Sequence, residues 1–491
     1  MKKILSILII LLFCGFILSI LYVAGVPPFN TPADQSEPIQ ENSQKKALIV
    51  EKSVGKTCRD KTYLELINHG MLLEKNGFTG LAVADYQLAH QLEQKNSEPF
   101  IKIGRIHLQN KQFAQAQANF EEAVKLDQNN TDSQIYLGRT LLQQRKIEEA
   151  RGIFNKIKSD TQAVKYYQGI VAGYFEDYEN SKKLLQMALE LHTTEDLSKK
   201  SQNFLNAYGE FDFNQGSSKV HLKTLLARSY NKTGEYEMAI PLLFDALKEQ
   251  KNYRDAWVLL GYAYLNVEKY QDAIEALEQG RKLDSQKSET LFFLGLSYYG
   301  KNELPKAAET LEQAKKNGFQ PVIQVEQKLA DIYMELKQYD KAAKNYQSVV
   351  LLNDENINYY IRPIWLYLEK LNQPERALSL AERAANNHPA LAMGYNLLGW
   401  AQIGANQLDG AEKNLEKALQ MDNKLDAAYL NFGKLFEKKG QPERALTYYI
   451  KAHEIGLGNN ISNIAAERYN VIIANNKGIK PDSMKAHVLR P

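Results

Sequence analysis

One pattern constrains this chain more than any other: a unit of about 34 residues that recurs along most of its length. In the copy at residues 254–287, one helical face is formed by Trp257, Leu260, Gly261 and Tyr264. A turn and a second helix follow, and Gly261 and Ala273 are small where the two helices would cross. Two short helices cannot bury these faces alone, so neighbouring copies must stack on both sides. The sequence therefore predicts an all-α chain that grows by adding helix pairs.

The same frame fits the chain eleven times. Units begin at residues 63, 97, 131, 162, 220, 254, 288, 323, 358, 392 and 426, and most successive starts differ by 34 or 35. The eighth position is Gly or Ala in every unit except the one that carries Trp365. The twentieth position is Ala in every unit except the one that carries Ser181. This regularity indicates that each copy packs its two helices in the same way.

The pattern resembles the tetratricopeptide repeat family, in which a large residue is followed by Leu-Gly, Tyr, Ala, an aromatic residue or Leu, and Ala. One copy here reads Trp257, Leu260-Gly261, Tyr264, Ala273, Leu277, and another reads Tyr429, Phe432-Gly433, Phe436, Ala445, Tyr449, Ala452. The resemblance covers roughly residues 63–459. It implies a right-handed α-solenoid of about eleven helix-turn-helix units with a concave inner wall. It implies little about the partner, because one fold hosts many functions.

The amino terminus predicts a membrane anchor. Residues 4–26 form an uncharged run of 23 residues, whereas a transmembrane helix needs about 20 apolar residues and a signal-peptide core only about 7–15. We therefore expect a transmembrane signal-anchor at residues 1–26, which makes the expected fold an α-solenoid behind a transmembrane helix. A cleaved signal that ends at Val23-Ala24-Gly25 is the alternative.

The charges that flank this run predict its orientation. Lys2 and Lys3 precede it, and Asp34 and Glu37 are the first charges after it. The positive-inside bias then leaves the amino terminus in the cytoplasm and carries the repeats across the membrane. The short Lys-Lys start is typical of bacterial proteins. We expect a single-pass inner-membrane protein whose repeats are periplasmic or otherwise extracytoplasmic.

The repeat frame and the composition together predict the domain organisation. In order, we expect a signal-anchor at 1–26, a flexible Pro-rich linker at 27–60, an amino-terminal stack at 63–191, an insertion or junction at 192–219, a carboxy-terminal stack at 220–459, a capping helix at 460–476 and a disordered tail at 477–491. Within the insertion, residues 202–208 can form a short helix and residues 209–218 look like a loop. The insertion is either a surface feature without a role, a hinge or a partner contact.

Two units depart from the frame, and a third places a proline near the start of a helix. In the unit from 162, Ser181 replaces Ala and Gln168 replaces the usual Leu. In the unit from 358, Pro363 falls inside the first helix and Trp365 fills a normally small site, so this unit should be distorted. In the unit from 426, Pro442 lies near the start of a second helix, where its missing N–H costs little.

The chain shows no constellation that would support catalysis or cofactor binding. It contains no Gly-rich phosphate loop, paired-Cys motif, His-Glu-x-x-His or nucleophile elbow. We therefore expect a protein that is not an enzyme and that holds no cofactor or metal. The net charge of +3, from 61 basic and 58 acidic residues, gives no overall attraction for nucleic acid.

The remaining candidate site is the inner wall. The family resemblance implies that the second, fifth, ninth, twelfth and thirteenth positions of each first helix face the concave side. The predicted partner-binding groove therefore consists of Ile101, Arg105, Leu108, Ile135, Arg139, Val258, Tyr262, Leu265, Phe292, Leu296, Tyr299, Met393, Asn396, Trp400 and Ile403. Aromatic residues and Arg most often carry interface energy. The alternative is that these side chains mainly pack against neighbouring first helices.

Two functions fit these observations. The first is a non-enzymatic, membrane-tethered scaffold that binds a protein or peptide in the concave groove, as part of an assembly in the cell envelope. The alternative is a glycan-binding or polysaccharide-export accessory protein of the bacterial envelope, because aromatic residues in a groove can stack on sugar rings.

Overall fold

The computed structural model describes residues 61–214, 218–475 and 479. Over these residues the chain forms 24 α-helices and no β-strand, which confirms the predicted all-α class. The predicted span at residues 4–26 and the linker at 27–60 lie outside the described residues. Among the helices that are described, not one combines the length and the hydropathy needed to traverse a bilayer.

The helices form two compact units that divide between Lys301 and Asn302. The first unit contains α1 (Tyr63–Lys75), α2 (Thr79–Leu92), α3 (Glu98–Gln109), α4 (Phe113–Leu126), α5 (Thr131–Gln143), α6 (Ile147–Lys156), α7 (Gln162–Tyr174), α8 (Tyr178–Leu191), α9 (Glu195–Phe213), α10 (Lys219–Thr233), α11 (Tyr236–Glu249), α12 (Arg254–Asn266), α13 (Tyr270–Leu283) and α14 (Ser288–Gly300).

The second unit continues the repeat with ten helices and two short irregular turns. It contains α15 (Leu304–Lys316), α16 (Val322–Glu335), α17 (Tyr339–Leu352), a 3₁₀ turn (Ile357–Tyr360), α18 (Ile361–Trp365), a π-helical turn (Leu366–Lys370), α19 (Pro374–Asn387), α20 (Ala392–Gly404), α21 (Leu408–Met421), α22 (Asp426–Lys438), α23 (Pro442–Gly456) and α24 (Asn460–Asn475). In both units each helix packs mainly on its neighbours in sequence.

Small residues lie where the two helices of a repeat cross, as predicted. A Cβ atom on Gly261 would lie 2.9 Å from Leu277 Cδ2 and 3.1 Å from the Ala273 carbonyl oxygen. Ala273 is itself fully buried. Because real Cβ contacts are rarely this short, the two backbones can come this close only when the first helix carries glycine at this position.

The turn inside every repeat has the same left-handed backbone residue. The fifteenth position of each of the eleven units has a positive φ, and it is Gly77, Lys111, Arg145, Glu176, Gly234, Glu268, Asn302, Lys337, Asn372, Asn406 and Gly440. Only three of these are glycine, so most units accept a modest backbone strain. Three of the non-glycine residues, Lys111, Arg145 and Glu268, have long side chains that form contacts within the first unit.

The segment predicted as an insertion is largely a helix. Residues 195–213 form α9. The expectation of a loop at residues 209–218 is therefore wrong for residues 209–213, which are helical. The ring of Phe204 on α9 packs 4.9 Å from the ring of Tyr230 on α10 and 6.4 Å from that of Tyr166 on α7. The helix therefore fills the space between two repeats instead of lying on the surface.

The contacts of α8 and α9 explain why the unit from 162 departs from the repeat pattern. Ser181 Oγ donates to the Gly169 carbonyl oxygen at 2.8 Å and accepts from Tyr208 Oη at 2.8 Å. Alanine at this position could make neither bond. Gln168 Nε2 similarly donates to the Phe154 carbonyl oxygen at 2.9 Å. The serine is therefore an adaptation to the extra helix, whereas the glutamine bonds to α6.

The distortion predicted for the unit from 358 is confirmed. Its first helix is broken into a 3₁₀ turn, the short α18 with Pro363 inside it, and the π-helical turn. A proline in a helix interior removes one backbone hydrogen bond and displaces the preceding carbonyl, which accounts for the break. At the carboxy end, α24 packs on α22 and α23 and covers the last repeat, as the predicted capping helix should.

Candidate functional site

The fifteen residues predicted to line the groove fall into two classes of exposure. Six of them are less than a tenth exposed, namely Ile135, Leu265, Phe292, Leu296, Asn396 and Ile403. The other nine are half-buried, namely Ile101, Arg105, Leu108, Arg139, Val258, Tyr262, Tyr299, Met393 and Trp400. Side chains of the first class contribute to packing between first helices. Side chains of the second class keep part of their surface accessible.

In the first unit, the wall formed by α5 is covered by another part of the chain. Arg139 lies over two rings, with its guanidinium carbon 5.5 Å from the Tyr136 centroid and 5.9 Å from the Tyr167 centroid. Glu235 lies in the turn before α11, close enough to Arg139 for the guanidinium charge to affect the pKa of Glu235. Burial raises the pKa of Glu235, and the Arg139 charge partly offsets that increase.

Two ion pairs hold this cover in place, and we call them the closing contact. Arg145 pairs with Glu237 on α11, and Lys111 pairs with Glu268 in the turn after α12. Lys111, Arg145 and Glu268 are three of the residues with positive φ. The contact joins residues 92 and 157 positions apart in sequence. The amino-terminal part of the predicted groove therefore faces its own chain at α5.

The aromatic residues around Tyr262 pack mainly on one another. The Tyr262 ring lies 6.2 Å from the Tyr236 ring and 4.9 Å from the Phe293 ring. Burial raises the pKa of the Tyr262 phenol above its ordinary value. Val258 belongs to a small core cluster with Leu277 and Leu294. This part of the wall is therefore a packed aromatic layer with half-buried edges.

The second unit places charged side chains around Trp400 on α20. Lys434 Nζ, from α22, lies 5.0 Å from the Trp400 ring centroid. The same ammonium lies 3.0 Å from Glu369 Oε1 in the π-helical turn. The Lys434 and Glu369 side chains are 23% and 43% exposed. We call Trp400, Lys434, Glu369 and Met393 the Trp400 surface; it joins the first helices of three successive repeats.

A buried polar layer fixes the helices beneath this surface. Asn431 Nδ2 donates to Asn396 Oδ1 at 2.9 Å, and Asn396 Nδ2 contacts Met393 Sδ at 3.4 Å. Lys438 Nζ donates to the Ile403 carbonyl oxygen at 2.7 Å. These bonds set the register of α22 against α20. Because the amide of Asn396 is held from both sides, it supports the surface and does not itself bind a partner.

Glu369 and Lys434 were missed by the sequence analysis although a signal for them existed. Glu369 occupies the twelfth position of the unit from 358, and Lys434 the ninth position of the unit from 426. Both are among the positions expected to face inward. The predicted groove contains charged residues only in the amino-terminal stack, Arg105 and Arg139, and lacks the charged residues at equivalent positions of the carboxy-terminal stack.

The titratable side chains do not form a recognisable metal site in the described part of the chain. No group of three His, Cys, Asp or Glu residues converges among residues 61–214 and 218–475. His69 and His107 have separate partners: the first pairs with Asp85, and Nδ1 of the second lies 2.7 Å from Gln112 Oε1.

Comparison with protein families supports the repeat assignment. Models described as tetratricopeptide repeat match residues 82–173, 258–321, 327–356, 394–425 and 426–455, which together make up about half of the chain. A model of subunit 3 of the anaphase-promoting complex, or cyclosome, matches residues 213–280. No curated protein matches the chain.

Several solved structures are similar to the chain. YrrB, described as a tetratricopeptide repeat protein with an unusual peptide-binding site, is 18% identical over 46% of this chain and 97% of its own, with a TM-score of 0.30. The Cut9–Hcn1 hetero-tetramer of the anaphase-promoting complex is 13% identical over 88% and 99%, with a TM-score of 0.30. Yeast Tom70 is 14% identical over 84% and 92%, with a TM-score of 0.27.

Proposed function

We propose that this chain, a tetratricopeptide repeat protein, is a non-enzymatic scaffold that binds a protein or peptide segment on the Trp400 surface. The observation that carries the proposal is the position of Trp400, Lys434 and Glu369 on three successive first helices. A half-buried indole offers a large apolar contact at low entropic cost. The adjacent ammonium and carboxylate can bind polar groups on either side of an apolar residue in an extended segment.

The Trp400 surface fits a partner better than the other parts of the predicted groove. Around α5 the wall is covered by the closing contact, and around Tyr262 the rings are engaged with one another. At Trp400 the indole has one charged neighbour, Lys434, above its ring and keeps part of its surface accessible. Interface energy usually concentrates in a few aromatic and charged residues of this kind.

The test is selection of binders from a peptide library displayed on phage, with the full-length protein as bait. Trp400→Ala and Lys434→Ala are then measured with the selected peptides. Loss of a central aromatic contact should weaken binding by roughly 30-fold. The matched control is Tyr395→Ala, because Tyr395 lies on the same helix and carries its own ammonium, Lys417 Nζ, 3.8 Å from its ring.

The outcome separates three readings. Binding that falls in the two surface variants and stays within about twofold in the control supports the proposal. Equal binding by wild type and both surface variants refutes the choice of surface. If no peptide is selected but a panel of immobilised glycans binds in a Trp400-dependent way, the glycan-accessory function replaces the peptide scaffold.

We extend the proposal to cellular location. The protein is tethered to a membrane by residues 4–26, with its repeats on the extracytoplasmic side, in a bacterial type of envelope. The support is the uncharged run, with Lys2 and Lys3 before it and Asp34 and Glu37 after it. A phosphatase that is active only outside the cytoplasm, fused after residue 475, should be active. An inactive fusion in membranes that retain the full chain refutes this location.

A further inference from the structure

The first repeat lacks a cover that every later repeat has. The third and tenth positions of the repeat are buried in all ten units after the first. In the unit from 254 they are Ala256 and Ala263, and both are fully buried. On α1 the same two positions are Glu65 and Leu72; both are exposed, and Leu72 keeps 52% of its surface accessible. We call the side of α1 that carries Glu65 and Leu72 the open face.

In a later repeat, the second helix of the preceding repeat covers this face. Gly394 is the third residue of the unit from 392. A Cβ atom there would lie 3.2 Å from the Cα atom of Ala385 and 3.3 Å from the Ala384 carbonyl oxygen, both on α19. The described part of the chain begins at Lys61, two residues before α1. The open face is therefore the place where a preceding segment would pack.

The open face lies beside more exposed large apolar side chains than any other described helix carries. Leu64, Met71 and Leu72 on α1 are 64%, 46% and 52% exposed. Leu64 lies seven and eight residues before the other two, so all three project from one side of the helix. No other helix within residues 61–214 and 218–475 exposes more than two large apolar side chains. Contiguous exposed apolar surface usually marks a site that another segment or molecule covers.

The chain that directly precedes α1 contains a segment suited to this face. Residues 47–50, Ala-Leu-Ile-Val, are the one run of consecutive aliphatic residues in residues 27–60. Ten residues separate this run from Lys61, and a stretch of that length spans at most roughly 35 Å. The 13-residue α1 is about 20 Å long. The aliphatic run can therefore reach every part of the open face.

The spacing of the repeats places the same run next to α1. The helix α2 begins 18 residues and ends 5 residues before the unit from 97. The matching interval before α1 is residues 45–58, which includes the aliphatic run. That interval is not another complete repeat, because Lys52 stands at the position that Phe120 and Leu277 fill in other second helices. We therefore assign the contact with α1 to the aliphatic run alone.

The charges that flank the run complement the open face. Lys52 and Lys56 follow the run, and Glu65 is the acidic residue of the open face. Packing of the run on α1 therefore brings opposite charges towards each other. The effect is modest, because exposed ion pairs are weak.

We propose that residues 47–50 pack on the open face, beside Leu64 and Met71, and close the amino end of the repeat array. A segment joined to α1 by so short a stretch has an effective concentration in the millimolar range. A second copy must in addition offset the translational and rotational freedom lost on association. The contact leaves only residues 27–46 to link the proposed membrane tether to the repeats; this last consequence alone rests on the proposed tether.

Chemical cross-linking of the full-length protein tests this contact. Cys14→Ser and Cys58→Ser first remove both native cysteines. Ile49→Cys is then combined with Leu72→Cys on the open face or, as the matched control, with Gln87→Cys at an exposed position of α2. With a short bismaleimide, the pair on the open face should link within one chain at least roughly 10-fold faster than the control pair. Equal rates for the two pairs overturn the proposal.

Thiol labelling supplies a second readout in the same cysteine-free background. A polar maleimide should label Ile49→Cys roughly 10-fold more slowly than Ser43→Cys, which precedes the run, because packing must open before the thiol can react. Leu72→Asp should remove that difference, and Gln87→Asp should leave it unchanged. Leu72 is exposed on α1, so its replacement leaves the helix intact.

Three results of these experiments overturn the proposal. The two single cysteines react at equal rates, the difference between them survives Leu72→Asp, or the cross-links join two chains. The last result assigns the open face to a second copy of the protein.

Discussion

Replacing Gly104 with alanine tests whether the stability of a repeat depends on the close crossing of its two helices. A Cβ atom at this position on α3 would lie 2.6, 2.8 and 2.9 Å from three ring atoms of Phe120 on α4. Phe120 is fully buried, and its ring stacks 5.3 Å from that of Tyr136. The ring therefore cannot rotate away, and the two helices must separate.

The magnitude follows from that geometry. Carbon atoms pack best at about 3.5–4.0 Å, so each contact falls short by roughly 0.6 Å or more. Overpacking of this kind costs about 1–3 kcal/mol, and the better helix propensity of alanine returns about 0.5–1 kcal/mol. We expect Gly104→Ala to lower the free energy of unfolding by about 0.5–2 kcal/mol, measured by urea denaturation with circular dichroism.

Two further variants make the prediction specific. Gly152 on α6 has no atom within 4 Å of its potential Cβ, so Gly152→Ala should stabilise the protein by about 0.5–1 kcal/mol. In a Phe120→Ala background the space is open, so adding Gly104→Ala should no longer destabilise. A Gly104→Ala protein as stable as wild type, or a destabilisation that persists without the Phe120 ring, would refute the reasoning.

Two other predictions concern charges in the first unit. Burial, followed by the charge of Arg228, lowers the pKa of Lys232 from 10.5 to about 8. Between these two pH values the unfolded chain binds more protons than the folded chain, so the free energy of unfolding rises with pH there. Below pH 8 the folded protein bears the full cost of burying the charged ammonium. Lys232→Met should therefore raise the free energy of unfolding by about 1–3 kcal/mol at pH 7, and this difference should vanish towards pH 10.5. Lys248 is exposed, so Lys248→Met should have no such effect. A stability difference that does not change with pH would contradict this. In the closing contact, Arg145→Glu and Glu237→Arg should each lower the free energy of unfolding. The double charge reversal should recover about 0.5–3 kcal/mol of that loss, and less at high salt. If the two effects are simply additive in a double-mutant cycle, the pair contributes nothing to stability.

The parts of the fold that depend on local sequence were predictable. Glycine and alanine at the helix crossing, Pro363 inside a first helix and the capping helix after residue 459 all act within one or two repeats. Their consequences can be read from spacing alone. The family frame also predicts which side of each first helix faces inward, including the position of Trp400, and this stays a prediction.

The parts that depend on the path of the chain over many repeats were not predictable. The pattern of one repeat does not specify that α9 would extend through Phe213, or that Glu237 would return to Arg145 from 92 positions away. The partners of Trp400 come from neighbouring repeats, so they become evident only when the stacked helices are seen together. The open face of α1 likewise has no sequence signature, because burial is a property of the packed state.

The closing contact gives the first unit an unusual mechanical property. A stack of repeats pulled from its ends behaves as a spring that unravels one pair at a time. Here two ion pairs also link residues that are 157 and 92 positions apart, Lys111 with Glu268 and Arg145 with Glu237. The Lys111 and Glu268 side chains are both exposed, and an exposed ion pair contributes only about 0–1 kcal/mol. Under load these links would therefore break before the helices between them unfold, and the first unit would lengthen in two stages, the first of which depends on salt.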